Sequence, residues 1–296
     1  MDRKEFDLLT TIALQKGTMT QRELSEKLGY SLGAVNKTLK DLSGKGLIAA
    51  GAITPAGQDA LEPYRAKRAV FLAAGVGSRL MPVSLNTPKP LVRVKGKRMI
   101  DGLIDAVLAA GITEIYIVRG YFSDQFDQLL YKYPMIHFIE NPDYMETNDI
   151  SSAVCAKYHL SNAYVFESDI ILYKPELIRK YHYTSDFLGF YKDRSDDWCF
   201  EVQKKHITEE KFGGFKCYQM VGISYWNEAD GKRLASHLPE AYGMPGGKDK
   251  YWEQVPLTVF QEQYHVELLE CGEEDVTEID TFRELKAVDP AYGAYK

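Results

Sequence analysis

The chain has 296 residues, enough for one sizeable core and a small satellite domain, with 36 Lys/Arg against 42 Asp/Glu and a formal net charge of −6. An apolar share of 45 % and a charged share of 26 % exclude a disordered or fibrous chain. Asp2-Arg3-Lys4-Glu5 is no secretory leader, no apolar run approaches 18 residues, and Cys155, Cys199, Cys217 and Cys271 lack metal or redox spacing. Reduced thiols, a cytoplasmic location and no membrane partner are therefore expected. The six histidines are scattered, which argues against a zinc site. Charge is uneven: residues 1–68 carry 11 Lys/Arg and 8 Asp/Glu, which leaves −9 for the remainder and hints at different partners for head and body.

Taken in chain order, residues 4–14 and 20–28 place apolar side chains at helical spacing (Phe6, Leu9, Ile12, Ala13; then Leu24, Leu28). Thr20 with Glu23 reads as a capping box. A Gly29-Tyr30-Ser31 turn leads to a third helix over 32–42, and residues 46–55 read as a short hairpin. Helix, helix, turn, helix and wing resemble the winged helix-turn-helix of MarR-like regulators. That resemblance implies DNA contacts from Ser31, Gly33, Asn36, Lys37 and Lys40 on the exposed side of the third helix. The alternative is a packing or dimerisation module without DNA affinity, since the surface is only mildly basic. The domain is expected over residues 1–62, with a linker at 63–68 and a second domain from 69 to 296.

The second domain opens on a buried strand, Ala69 to Ala74, that breaks into Gly75-Val-Gly77-Ser78-Arg79. Glycines let backbone N–H groups approach an anion, and Arg79 adds a guanidinium fork suited to phosphate oxygens. Lys89, held between Pro88 and Pro90, returns a second cation. Leu80 stands where a dinucleotide fingerprint needs its third glycine, and no Gly-Lys-Ser/Thr run follows, so neither hydride transfer nor a Walker-type loop fits. Leu72-Ala-Ala-Gly-x-Gly-Ser-Arg-Leu-x-Pro followed by Thr87-Pro-Lys-Pro-Leu91 resembles the signature of nucleoside-triphosphate-type nucleotidyltransferases. Within that superfamily the chain, from about residue 67 onward, is similar to the bacterial CTP:phosphocholine cytidylyltransferases. The resemblance implies that Leu72, Ala74, Gly75, Gly77 and Ser78 bind nucleotide and that Arg79 and Lys89 act on the triphosphate.

Residues 97–110 read as an amphipathic helix, 114–119 as a buried strand, 123–130 as a helix and 135–140 as a strand. This alternation predicts an α/β fold with a Rossmann-like, mainly parallel sheet whose ligands sit at the carboxyl ends of the strands. The polar loop 141–152 leads into a helix over 150–158 that Asn148 or Asp149 could cap. The resemblance makes Asn148 and Ser151 nucleotide contacts. A strand from Ala163 ends in Glu167 and Asp169, whose alternation lets both face one side. A carboxylate there suits Mg²⁺, which takes one or two carboxylates, waters and substrate phosphates. By resemblance Asp169 is a metal ligand, Glu167 supports it, and Asp280 of the closing Glu278-Ile-Asp280 block completes the site.

From Asp186 the pattern turns to shorter β segments (187–191, 198–203, 217–226) rich in aromatic residues. Aromatic faces with a nearby carboxylate can hold a quaternary ammonium. The resembling enzymes carry a Trp where Trp198 falls, and the resemblance makes it the first candidate for an amine contact; Tyr191, Tyr225, Trp252 and Glu253 join it as candidates, although core packing is the ordinary use of such residues. The expected reaction is Mg²⁺-dependent transfer of CMP from CTP to phosphocholine. The same chemistry on 2-aminoethylphosphonate or a sugar 1-phosphate is one alternative, and a DNA-binding regulator with a nucleotide-sensing body is another. A homodimer is left open.

Overall fold

The computed structural model describes residues 1–15 and 17–294 and divides into two compact units, Met1–Arg65 with Tyr181–Tyr183, and Ala66–Lys180 with Thr184–Lys296. The smaller unit runs α1 (Arg3–Leu14), α2 (Gln21–Leu28), α3 (Leu32–Gly44), β1 (Ile48–Ala49), β2 (Ala52–Ile53) and α4 (Pro55–Leu61). Its core is Phe6, Leu8, Leu9, Leu24, Val35, Leu42, Ile48 and Leu61, the helical stripe of each element together with the wing. The Thr20–Glu23 capping box is formed, and Asp2–Glu5 makes another. Residues 181–183 belong to this unit because Tyr183 stacks on Tyr64 (ring centroids 5.9 Å apart) and packs on Phe6.

The larger unit continues with β3 (Arg68–Ala73), β4 (Arg93–Val94), β5 (Lys97–Arg98), α5 (Met99–Ala109), β6 (Glu114–Arg119), β7 (Ile136–Glu140), α6 (Ile150–Ala156) and β8 (Ala163–Glu167). It ends with β9 (Ile170–Leu172), β10 (Ser185–Gln203), β11 (His206–Trp226), α7 (Glu228–Gly243), β12 (Val266–Glu270), β13 (Val276–Glu278) and α8 (Phe282–Val288). Strands β7, β6, β3 and β8 are parallel neighbours in that order. Antiparallel β11 pairs with β8, β10 with β11, and β12 runs parallel to β10. The fold is thus α/β with a mainly parallel central sheet. Strand β3 is buried on both faces: Ala69, Phe71 and Ala73 join one apolar layer with Ile115, Ile117 and Phe166, while Val70 and Leu72 join another with Val165 and Trp226.

Several expectations shift. The segment 97–110 is helical only from Met99, because Lys97 and Arg98 pair with Val94 and Arg93 in a two-stranded ribbon. The helix expected over 123–130 is a 3₁₀ run, Ser123–Tyr131. The separate short β segments after residue 186 merge into the long β10–β11 hairpin, which several register shifts bend. Helix α7 escapes the sequence pattern because it carries Pro239 in its interior, a residue that ordinarily ends a helix.

Candidate active site

The carboxyl ends of β3 and β8 open together, since Leu72 and Glu167 are register partners. Directly beyond them lies a cleft of about 370 Å³. Leu72, Ala74, Gly75, Gly77, Ser78, Arg79, Lys89, Asn148, Ser151, Asp169 and Asp280 all line it. Gly77 adopts φ +65°, and a Cβ there would stand 3.0 Å from Lys89 Cβ, so the turn needs glycine both for its backbone and for the closeness of Lys89. The Ser168 hydroxyl donates to Leu72 O (2.9 Å) and ties the two strand ends together.

Asp169 and Asp280, 111 residues apart in the chain, meet through a short sheet. Strand β13 pairs antiparallel with β9, and Ile279 N–H donates to Asp169 O (3.0 Å). Lys89 Nζ sits between the two carboxylates, 2.6 Å from Asp169 Oδ2 and 3.0 Å from Asp280 Oδ1. Burial pulls the Lys89 ammonium down, but the two aspartates outweigh it and leave its pKa raised. Arg79 donates to Asp280 Oδ1 (2.7 Å) from a side chain that is 66 % exposed, free to turn toward an incoming anion. Asp169 Oδ1 is buried without a hydrogen-bond partner among the described residues. Glu167, Asp169 and Glu278 bring carboxylate oxygens within 4.8 Å of one another. Burial first, then the neighbouring aspartates, push Glu167 and Glu278 well above the usual carboxylate range.

On the opposite wall, Asn141 is buried at the end of β7 and donates to Ser151 Oγ (2.8 Å) and Ser152 Oγ (3.0 Å). Asn148 Nδ2 donates to Asp249 O (3.2 Å), and Ser151 Oγ donates to Asn148 O (3.1 Å). Neither residue caps α6 with its side chain. Asp149 precedes the helix, but its Oδ1 accepts instead from Trp252 N–H (2.9 Å). Burial, partly offset by that bond and reinforced by Glu210 and Asp169, pushes Asp149 up to about 7.

The expected aromatic cage is not assembled. Tyr225 is 1 % exposed and packs on Tyr164 in one apolar layer, while Trp252 is 2 % exposed and packs on Phe187 and Trp226 in the other. Both are core: Tyr225 lies on β11, an interior strand covered on two faces, and Trp252, in the segment after α7, packs into the layer that contains Trp226. Tyr191 is exposed and donates to Asp193. Trp198 is half-buried, edge-on to Tyr251 (5.7 Å), and Tyr251 is the aromatic residue that lines the cleft there. Glu253 lies buried behind the wall. A second hollow of about 260 Å³, lined by Lys192, Asp197, Gln219 and Glu278, shares Asp280 with the first.

Sequence reasoning missed Asn141, Tyr144, Asp149 and Tyr251 on the cleft wall, and Gly222 beneath it. A Cβ on Gly222 would stand 2.6 Å from the Glu167 carboxyl, so this glycine makes the room that Glu167 occupies. No local pattern marks it, since the contact runs between β8 and β11. In the smaller unit, Lys37 and Lys40 are exposed on α3. Ser31 Oγ is used as its N-cap, and Asn36 donates to Gln21 Oε1 (3.1 Å).

The family description "Nucleotidyl transferase" matches residues 68–134, and "MarR family" matches residues 1–57. A 2-aminoethylphosphonate cytidylyltransferase from Lancefieldella rimae is 33 % identical over 232 residues, covering 76 % of this chain and 92 % of the relative. A choline-phosphate cytidylyltransferase from Streptococcus pneumoniae is 29 % identical over 224 residues, covering 75 % and 96 %. The solved structure of a CTP:phosphocholine cytidylyltransferase from Streptococcus pneumoniae superimposes with a TM-score of 0.70 at 27 % identity, over 77 % of this chain and 99 % of that one.

Proposed function

The chain belongs to the nucleotidyltransferase family, among its cytidylyltransferases, and from that premise we propose that it transfers a cytidylyl group from CTP to a phosphate or phosphonate monoester carrying an amine. The observation that carries this reading is the convergence of the glycine turn, Arg79, Lys89, Asp169 and Asp280 on one cleft. An acceptor oxygen attacks the α-phosphorus in line, the bond to the β-phosphate oxygen breaks, and pyrophosphate leaves with the electron pair. That acceptor oxygen is already ionised near neutral pH, so the protein needs neither a nucleophile nor a strong base, and catalysis reduces to positioning and charge stabilisation. The turn at Gly75–Gly77 offers N–H groups to the triphosphate, Arg79 steadies its outer oxygens, and Lys89 counters charge building on the reacting phosphates.

Asp169 and Asp280 would hold Mg²⁺. The unpartnered Oδ1 of Asp169 and the surrounding all-oxygen carboxylate set suit a hard divalent ion. When bound, that ion supplies a positive charge that draws density from the leaving pyrophosphate. Asn148 and Ser151, in the same cleft, are read as nucleotide contacts.

Phosphocholine as acceptor rested on the family resemblance and on an aromatic cage, and with Tyr225 and Trp252 in the core the cage shrinks to Trp198 and Tyr251. The test is pyrophosphate release by the purified protein with Mg²⁺, scanning CTP, UTP, ATP and GTP against phosphocholine, 2-aminoethylphosphonate and glucose 1-phosphate. Release confined to CTP with an amine-bearing acceptor is the expected result, and no release from any pair overturns the reading.

The MarR-family match supports a second capacity, DNA binding by the smaller unit through the exposed Lys37 and Lys40. A gel shift with the DNA upstream of its own gene, with and without CTP, tests it. Binding at low salt that weakens in a Lys37→Ala/Lys40→Ala variant is expected. No shift makes the unit a structural appendage.

A further inference from the structure

The cleft holds a second acidic cluster, of which the transfer chemistry uses only Glu167. Asp149 at the start of α6, Glu167 at the end of β8 and Glu253 in the segment after α7 bring one carboxylate oxygen each within 4.8 Å of one another. Asp149 and Glu167 line the cleft, and Glu253 lies behind them, 1 % exposed, its Oε2 buried without a hydrogen-bond partner among the described residues. A buried carboxylate oxygen with no donor is costly unless a cation or an N–H comes to it. Resting on the cytidylyl-transfer reading of the cleft, the geometry points to Asp149, Glu167 and Glu253 as the seat of the acceptor's ammonium, shaped for a primary rather than a quaternary nitrogen.

The N–H donors carry the distinction. Three oxygens that each accept from one tetrahedral –NH₃⁺ at about 2.8 Å stand roughly 4.6 Å from one another, inside the 4.8 Å within which these three lie. A trimethylammonium has no N–H to give, so it leaves the orphan oxygen of Glu253 without a donor. Glu167 is common to this cluster and to the Asp169 cluster. An ammonium in the one would therefore lie beside the proposed metal site, where the acceptor's phosphate must come. Tyr251 closes the wall beside the seat with Trp198 against its edge. Burial and the neighbouring carboxylates also push Glu253 well up.

Calorimetric binding to the full-length protein, with and without a non-hydrolysable CTP analogue and Mg²⁺, would compare 2-aminoethylphosphonate, ethylphosphonate and phosphocholine. The aminoethyl compound should bind at least about tenfold tighter than the other two, as one charge-assisted hydrogen bond warrants. Glu253→Gln should erase most of that advantage and leave ethylphosphonate unchanged. Asp149→Asn gives the same comparison if Glu253→Gln melts early. Tighter binding of phosphocholine, or equal weakening of all three ligands by Glu253→Gln, overturns the seat. So does loss of one Mn²⁺ equivalent in Glu253→Gln with acceptor discrimination unchanged, since the cluster would then be a metal site. Ammonium discrimination without pyrophosphate release would leave the seat standing and remove the transferase reading. Rapid transfer to phosphocholine alone would do the reverse.

Discussion

Glu210, on β11 in the hairpin, offers a sharp test of how the acidic wall is held. Its Oε1 is buried without a partner among the described residues, its Oε2 accepts from Thr258 Oγ1 (3.1 Å), and burial, only partly offset by that bond, pushes its carboxyl from 4.5 up to about 7. The folded state thus binds this proton more tightly than the unfolded chain does. Stability from this group is full below about pH 4.5 and is lost as pH rises toward 7. At 1.36 kcal/mol per unit of pKa, ionising Glu210 costs the fold about 3 kcal/mol at pH 8. Glu210→Gln keeps the shape and cannot ionise. It should match the wild type near pH 4.5 and exceed it by up to about 3 kcal/mol at pH 8, roughly 6–12 °C in the Tm of a unit this size. Scanning calorimetry of the larger unit's transition in both proteins between pH 5 and 8 measures the difference. A gap that does not grow with pH, or a variant less stable at pH 8, refutes the reasoning.

The cleft's machinery yields three further expectations. Asp169→Asn should lower turnover by at least about two orders of magnitude, as loss of one key electrostatic contact does, with CTP binding by calorimetry largely kept; near-normal turnover at saturating Mg²⁺ would remove Asp169 from metal binding. Lys89→Met leaves Asp169 and Asp280 facing each other without their shared cation, so kcat should fall about 100-fold or more while the nucleotide KM moves less. An unchanged kcat would mean that Lys89 serves only the fold. Gly222→Ala should drive the Glu167 carboxyl out of its place, lowering kcat/KM at least about tenfold with little loss of secondary structure by circular dichroism; full activity would show that Glu167 relaxes freely.

Local signals carried much of this protein. The apolar run before Gly75 marked β3, buried runs marked β6 and β8, the strand over 135–140 became β7, and Thr20 with Glu23 marked the start of α2. The glycine turn, Lys89, Asp169 and Asp280 were legible as a set through resemblance to the nucleotidyltransferase signature, and they line one cleft. Each such signal lies within a few residues of chain, where backbone preference and hydrophobic period act directly. Tyr225 and Trp252 misled because an aromatic residue carries the same local pattern whether its segment faces a ligand or another layer of the core. The layers packed on β11 decided for the core at Tyr225, and Trp252, outside any strand, packs into one of them. Gly222 beneath Glu167, Glu253 behind Asp149, and the β9–β13 pairing that brings Asp280 to Asp169 join residues tens to more than a hundred positions apart. Sequence by itself determined which elements form and which residues bear the chemistry. Only tertiary packing decided which of them meet, because burial and contact across the sheet depend on neighbours that no local pattern specifies.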